Sequence, residues 1–365
     1  MKAIEKRSRE PLFHVVKRDT LPWQKALLIR VITVVAAVLL CAVLSIVMLD
    51  NVDPFKFIVT LFDGAIGSQR RLWKLAKDAA VLLCISLAIT PAFRMKFWNI
   101  GAEGQTLIGA LASVFVVMYL GGKVPEAVLL IVMLLASLLM GAIWGALPAI
   151  FKAKWNTNET LFTLMMNYVA SGLVAYFLMI WRPSGGSVLG RLDFGHLPVI
   201  GHEYLLLILV TLVLTAIVHV YLHYTKQGYE ISVVGESENT ARYIGINVGK
   251  VIVRTMIVSG AICGLAGFLI VGALDHSITT TTVGGLGFTA IMVSWLAKFN
   301  PVIMVGTSVF ITFLRQGAAE IGSQVDPSFP DMIVGIVLFF VIGCEFFIGY
   351  KLKFRESLNK GGKAS

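Results

Sequence analysis

The sequence predicts an all-α, polytopic transmembrane helical bundle. Two observations carry that reading. Hydrophobic residues make up 57% of the 365-residue chain and charged residues 14%, with a mean hydropathy of +0.82. Soluble domains run at about 45–50% apolar and ~25% charged. In addition, residues 31–49 form an uninterrupted apolar run of 19 residues, enough to cross a hydrocarbon core of about 30 Å as a helix. These values exclude a water-soluble globular domain, a disordered chain and a nucleic-acid-binding domain. The net charge of +10 and the pI near 9.5 therefore bear on membrane orientation.

The run at 31–49 is too long for a secretory h-region and no small-residue cleavage site follows it, so it reads as a retained first helix. Further apolar segments lie at 79–93, 100–120, 127–150, 161–180, 204–223, 251–273, 287–297, 302–314 and 332–348. The segments at 79–93, 287–297 and 302–314 are short and sit beside Gly and Pro. Such segments read as broken or re-entrant helices, tolerated where they line a protein cavity. Eight to ten spans follow, with ten favoured, and ten spans put both termini on one side. The loops and tails on that side carry 21 Lys and Arg, the other side carries 9, and Arg254 falls inside a span. The positive-inside rule then makes both termini cytoplasmic. The expected organisation is a basic N-terminal segment at 1–30, a transmembrane domain at 31–349 with a cytoplasmic loop at 224–250, and a basic tail at 350–365. The basic stretch RRLWKLAK at 70–77 falls on the outer side, where it is expected as a membrane-surface helix with Trp73 at the interface. Cys41, Cys84, Cys263 and Cys344 all sit in apolar runs and read as small buried hydrophobes.

The chain has neither a G-x-x-x-x-G-K-[ST] phosphate loop nor an H-E-x-x-H motif, which leaves no recognisable ATP site or metalloprotease site. His219 and His223 share a helix face, but no third ligand accompanies them, so no metal site is assigned. No Ser/His/Asp arrangement stands out. The glycine-rich bundle with few polar residues suggests a transporter.

Four polar stretches interrupt the apolar pattern. In the first, Asn99, Glu103 and Gln105 lie within WNIGAEGQ at the start of an apolar segment. An anion there gains from the free N–H groups and the dipole of a helix N-terminus. In the second, Asn158 or Thr157 is a plausible N-cap with Glu159 in the first turn, and Asn167 lies about two turns further in, where its amide must find a partner. The third is the loop YTKQGYEISVVGESENTARYIGINVGK. There ENTARYI can form one or two helical turns between the breakers Gly235 and Gly245, a natural docking element. In the fourth, Gly260 and Gly264 form G-x-x-x-G with Gly267 on nearly the same face, a close helix-contact surface. Glycine-rich breaks near residues 100 and 285 hint at an internal repeat.

At these residues the chain resembles the membrane-spanning permease subunits of bacterial ATP-binding cassette importers, in the group that moves branched-chain amino acids, ribose-type sugars and nucleosides. FRMKFWNIGAEGQTLIGALAS is similar to the signature of the nucleoside and simple-sugar branch. NETLFTLMMNYVA, VGESENTARYIGINVGK, SGAICGLAGFLIVGA and GGLGFTAIMVSWLAKFNP follow in family order. The resemblance implies a multi-pass subunit of the bacterial inner membrane that carries no cofactor and no catalytic site of its own. ATP and Mg²⁺ would be bound by cytoplasmic ATPase partners. A second permease subunit, identical or paralogous, and an extracytoplasmic binding protein would complete the importer. The coupling element would fall on Gly235, Glu236, Asn239, Ala241, Tyr243, Gly245 and Ile246. The segment 99–105 would lie beside the translocation path, with Asn158, Glu159 and Asn167 as further candidates. The competing expectation is an ion-coupled secondary transporter in which Glu103 titrates; such a carrier does not need the 224–250 loop.

Overall fold

A computed structural model describes residues 13–17, 22–48, 54–182, 189–322 and 328–354. The chain divides into two compact units, one made of residues 1–62 with 317–365 and the other of residues 63–316. Nine of the described helices are long and apolar enough to cross a membrane, and one shorter apolar helix accompanies them. This agrees with eight to ten spans.

In the first unit, α1 (Trp23–Met48) packs on α13 (Phe329–Gly349). Arg30 and Glu345 form an ion pair at 2.6 Å between them. One feature departs from an all-helical reading. Residues Phe13–Lys17 (β1) and Tyr350–Phe354 (β2) form an antiparallel ribbon, with Phe13 opposite Phe354 and Lys17 opposite Tyr350. Both segments are short and basic, so composition reads them as tails. β2 follows α13 directly, and β1 precedes α1 in the same unit. The remaining basic residues of the two ends, at 1–12 and 355–365, lie outside the described residues.

Next in sequence comes α2 (Pro54–Ile66), and then α3 (Gln69–Arg94), the first whole helix of the second unit, where it packs on the helices Leu205–Tyr224, Val248–Leu269 and Leu286–Leu296. The stretch 70–77 is not a separate surface helix: it forms the first turns of α3, which runs unbroken for 26 residues. Ser68 caps it, its hydroxyl accepting the Arg71 N–H at 3.2 Å. The whole face set from Ala79 to Phe93 is buried, as expected of a helix that is apolar all round.

The core of the second unit is a three-helix contact. It joins α4 (Ala102–Leu120), α5 (Glu126–Trp155) and α10 (Val248–Leu269). Between α5 and α10 lie α6 (Glu159–Trp181) and α7 (Leu205–Tyr224), and after them the short α8 (Lys226–Glu236) and α9 (Glu238–Tyr243). Glycines let the three core backbones touch. A Cβ on Gly260 would sit 2.2 Å from the Gly141 carbonyl oxygen, one on Gly264 2.1 Å from that of Ser137, and one on Gly267 2.3 Å from that of Thr106. In a bilayer, where apolar side chains gain little by leaving lipid, such backbone proximity is a main source of helix association.

The polar connection after α7 is well ordered because each helix start has its own cap. Thr225 Oγ1 accepts from Gly228 N–H, Ser237 Oγ from Thr240 N–H, and Asn247 Oδ1 from Lys250 N–H. Helix α9 matches the ENTARYI expectation. Helix α8 does not, because Gly228 and Gly235 look like breakers in sequence. In the fold they are contact points: a Cβ on Gly228 would meet the Tyr221 and Leu222 carbonyls, and one on Gly235 the Arg94 carbonyl at 2.2 Å.

At the other end of the second unit, α10 continues into a π-helical turn at Ile270–Asp275 and then His276 at φ +48°. The segment 189–204 folds back on that turn. Leu192 N–H donates to the His276 carbonyl, Leu197 N–H donates to that of Gly272, and Glu126 Oε1 accepts from Gly195 N–H at 2.7 Å. His196 Nδ1 and His276 Nδ1 lie 2.9 Å apart, and His196 Nε2 reaches the Leu192 carbonyl at 3.0 Å. A carbonyl can only accept, so His196 carries its proton on Nε2 and His276 donates from Nδ1. Burial first, then the facing His196 and Arg191, hold His276 below the ordinary 6.5, with Glu203 acting the other way.

Two outcomes follow from this packing. Gly264→Ala is expected to destabilise the protein by about 1–3 kcal/mol through backbone overpacking, whereas Gly172→Ala, which meets nothing within 4 Å, leaves the Tm of the detergent-solubilised protein unchanged. Equal Tm values for the two variants would contradict the three-helix contact. Second, the unfolded chain takes up the His276 proton first. The stabilisation from neutral His276 is therefore complete above its ordinary pKa of 6.5 and is lost as pH falls through its lower folded value. A Tm series from neutral to acid pH should fall below that point, and His276→Gln should flatten that part of the curve.

Candidate functional site

Helix α4 begins inside the second unit rather than at an end of it. Asn99, three residues before it, meets Ser259, the twelfth residue of α10, and its first turn meets Asn167, the ninth of α6. A helix start has free N–H groups, and far from water each must be met by protein. The residues around 99–105 do this.

Asn99 is fully buried. Its Oδ1 accepts from Gly101 N–H at 3.0 Å and from Gln105 Nε2 at 3.2 Å, and its Nδ2 donates to Ser259 Oγ at 3.4 Å. Gln105, also buried, returns the interaction through Oε1. Asn167 Oδ1 accepts from Gly104 N–H at 2.9 Å, and its Nδ2 donates to the Ile100 carbonyl at 3.0 Å. Thr163 Oγ1 accepts from Ile100 N–H. The buried amides are thus satisfied by one another and by backbone, as buried polar groups must be.

Glu103 turns the other way, toward a second helix start. That helix is α11 (Leu286–Leu296). Glu103 Oε1 accepts from Gly285 N–H and Oε2 from Gly287 N–H, both at 2.8 Å. A carboxylate that takes two backbone N–H groups at a helix start gains from charge-assisted hydrogen bonds and from the dipole. Gly285 has φ +79°, and a Cβ on Gly287 would lie 2.5 Å from the Glu103 nitrogen. Glycine is required at both positions, for different reasons: a left-handed turn at one and close approach at the other.

The remaining sequence candidates lie elsewhere. Asn158 is exposed and caps α6, accepting from the Thr160 and Leu161 N–H groups. Glu159 pairs with Lys152 at 3.0 Å. Asn158 also lines an open groove of about 430 Å³ along α6, with Leu161, Phe162, Met165, Met166 and Val169. Ala241 is buried, Gly235 lies against the Arg94 carbonyl, and Ile246 N–H donates to the Ala241 carbonyl. Gly245 adopts φ +85°. On the outside of this rooted element Glu236 and Asn239 are exposed, and Tyr243 is 92% exposed. Gly260, Gly264 and Gly267 lie in the core contact already described.

Residue-level reasoning did not find Ser259, Thr163 or the pairing of Glu103 with Gly285 and Gly287. The signal for the last was two glycine-rich breaks, but nothing in their spacing says that they meet. At the end of the unit opposite α8 and α9, an open cleft of about 870 Å³ is lined by Arg70, Trp73, Lys74, His202, Glu203 and Tyr204, among others. Trp73 stacks on His202 with ring centroids 3.8 Å apart. Among the described residues, no group of three or more His, Cys, Asp or Glu could hold a metal ion.

Glu103→Gln keeps the shape but offers one acceptor oxygen to two N–H groups. It is expected to cost about 1–3 kcal/mol, the penalty of an unpaired buried group. Thermal unfolding measures that cost, and faster hydrogen exchange at 285–287 locates it. Exchange unchanged from the parent would rule out this carboxylate as the cap of α11.

Residues 72–342 match the family described as branched-chain amino acid transport system, permease component. Curated relatives match the chain along most of their length. A glucose ABC transporter permease protein of Haloferax volcanii is 29% identical over 92% of this chain and 92% of its own. A guanosine ABC transporter permease protein of Bacillus subtilis is 27% identical over 77% of this chain and 83% of its own. A nucleoside ABC transporter permease protein of Lactococcus lactis is 21% identical over 87% and 91%. With a membrane-spanning bundle and a family match across most of its residues, the chain belongs to the branched-chain amino acid transport system permease family, as a multi-pass transport subunit of an ABC transporter.

Proposed function

We propose that this permease subunit imports a nucleoside or a related ribosyl or simple-sugar ligand across the inner membrane of a bacterium, with both termini in the cytoplasm. The relatives named for glucose, guanosine and nucleosides support that substrate class. The observation that carries the coupling part is the α8–α9 element: capped at each start and rooted on α3 through Gly235, it presents Tyr243 almost fully to solvent. A rigid exposed element of this kind suits a docking partner, here a cytoplasmic ATPase that binds ATP and Mg²⁺. Its docking residues are Glu236, Asn239 and Tyr243, and Gly235, Ala241, Gly245 and Ile246 hold their backbone.

The pathway runs beside the 99–105 segment, where Asn99, Glu103, Gln105 and Asn167 set the positions of the two inner helix starts. The groove along α6, with Asn158 at its rim and Glu159 beside it, faces the second permease subunit. The open cleft around Trp73 and His202 faces the extracytoplasmic binding protein that delivers the ligand. A carboxylate already committed to two N–H groups supports a structural role for Glu103 over a titrating one, and so weighs against ion-coupled transport.

Deleting the partner ATPase is expected to abolish uptake of radiolabelled nucleoside by whole cells. Tyr243→Ala is expected to reduce uptake about tenfold, as loss of an aromatic interface anchor does, with the protein still at its normal level in the membrane. Full uptake by this chain alone, driven by an ion gradient, would overturn the reading. A thermal-shift ligand screen on the cognate binding protein tests the substrate class, and a response to branched-chain amino acids alone would reassign it.

A further inference from the structure

One part-buried ion pair has no part in the helix-start network. Glu230, in the second turn of α8, accepts from Arg254 Nη2 at 2.9 Å. Both side chains are largely buried, at 16% and 27% exposure. Arg254 is the seventh residue of α10, already inside the span, where an unpaired cation is costly. Tyr221 of α7 lies against the same guanidinium. The Arg254 Nε–H is buried without an acceptor among the described residues, so its donors are not all spent in this state.

The pair completes a set of fixed points around α8. Gly228 seats the start of the helix on the Tyr221 and Leu222 carbonyls, Gly235 seats its end on the Arg94 carbonyl, and Glu230 ties its middle to α10. Five residues beyond Arg254, α10 carries Ser259, whose hydroxyl receives the Asn99 amide. The next residue, Gly260, presses on α5. A displacement of α8 therefore has a continuous route through α10 to the Asn99 and Glu103 junction.

We propose that Glu230 and Arg254 form the strut that transmits movement of α8 to α10, and so to the two inner helix starts. This rests on the reading of α8–α9 as the ATPase docking element. The physical reason is that an apolar contact can slide, whereas separating two opposite charges in a low-dielectric interior strands both. Helix α8 cannot shift without taking α10 along. Both residues are positioning residues, acting through α10.

The test uses the complete transporter reconstituted in lipid vesicles, with uptake and ATP hydrolysis measured on the same sample. Arg254→Gln and Glu230→Gln are each expected to lower uptake per ATP hydrolysed about tenfold, within the usual range of coupling between sites, while hydrolysis itself changes by less than about twofold. The exchange variant E230R/R254E restores the opposite charges and is expected to recover coupling, a recovery that loss of packing alone does not produce. Single variants with normal uptake per ATP, or an exchange variant as uncoupled as the singles, overturn the strut. If the single variants fail to accumulate, the exchange variant decides by itself in the same way. Parent uptake that does not require ATP would instead sink the docking reading beneath it.

Discussion

A helix that begins within packed protein has N–H groups that other protein groups must meet, and this chain meets the starts of α4 and α11 with side chains from other elements. Meeting those groups organises the second unit. Asn99, Asn167 and Thr163 serve the approach to α4, and Glu103 serves α11. Each of these side chains comes from a different place in the sequence than the backbone it bonds or closes a tight local turn. The positions of α4, α6, α10 and α11 relative to one another are thereby tied to a few directional bonds. Directional bonds suit a path that must hold a defined geometry, and they break more discretely than apolar packing does.

Around that junction the packing is of a different kind. Backbone-to-backbone approach at Gly141, Gly260, Gly264 and Gly267 makes α4, α5 and α10 behave as one block. A block of this sort carries a displacement without absorbing it, since close-packed interiors transmit strain. The capped α8–α9 element is attached to the same block through α10 and to α3 through Gly235. The unit thus places an exposed aromatic surface, a stiff set of helices and a hydrogen-bonded junction in series. Transport by alternating access needs such an order of parts: a site of input, a transmitting body and an element with two arrangements.

The membrane-facing character of the chain was legible because hydrophobic runs and charge distribution are summed properties. No single contact has to be known to read 57% apolar residues or an apolar run as long as 31–49. Caps were legible for a similar reason. Asn158 bonds N–H groups two and three residues away, so its role is written in local spacing. The short helix α9 could be read in the same way from its flanking glycines. Helix α8 could not, since Gly228 and Gly235 break helices by propensity, and their use as seats on other backbones depends on where α7 and α3 end. The basic first turns of α3 were likewise hidden, because charge marks the outer boundary of a span but not whether the helix continues through it.

By itself, the sequence determined the all-helical membrane bundle, the number of spans to within eight to ten, the buried free cysteines and the polar stretches that matter. These follow from composition and from interactions within a turn or two of the chain. Only the tertiary structure decided that Glu103 caps a helix start 182 to 184 residues away, that Asn99 reaches Ser259, that the two basic chain ends pair as a ribbon, and that Arg254 has Glu230 for a partner. Those are long-range choices. Many donors and acceptors along the chain could satisfy the same groups, and which ones do is set by how close the glycines allow the helices to come.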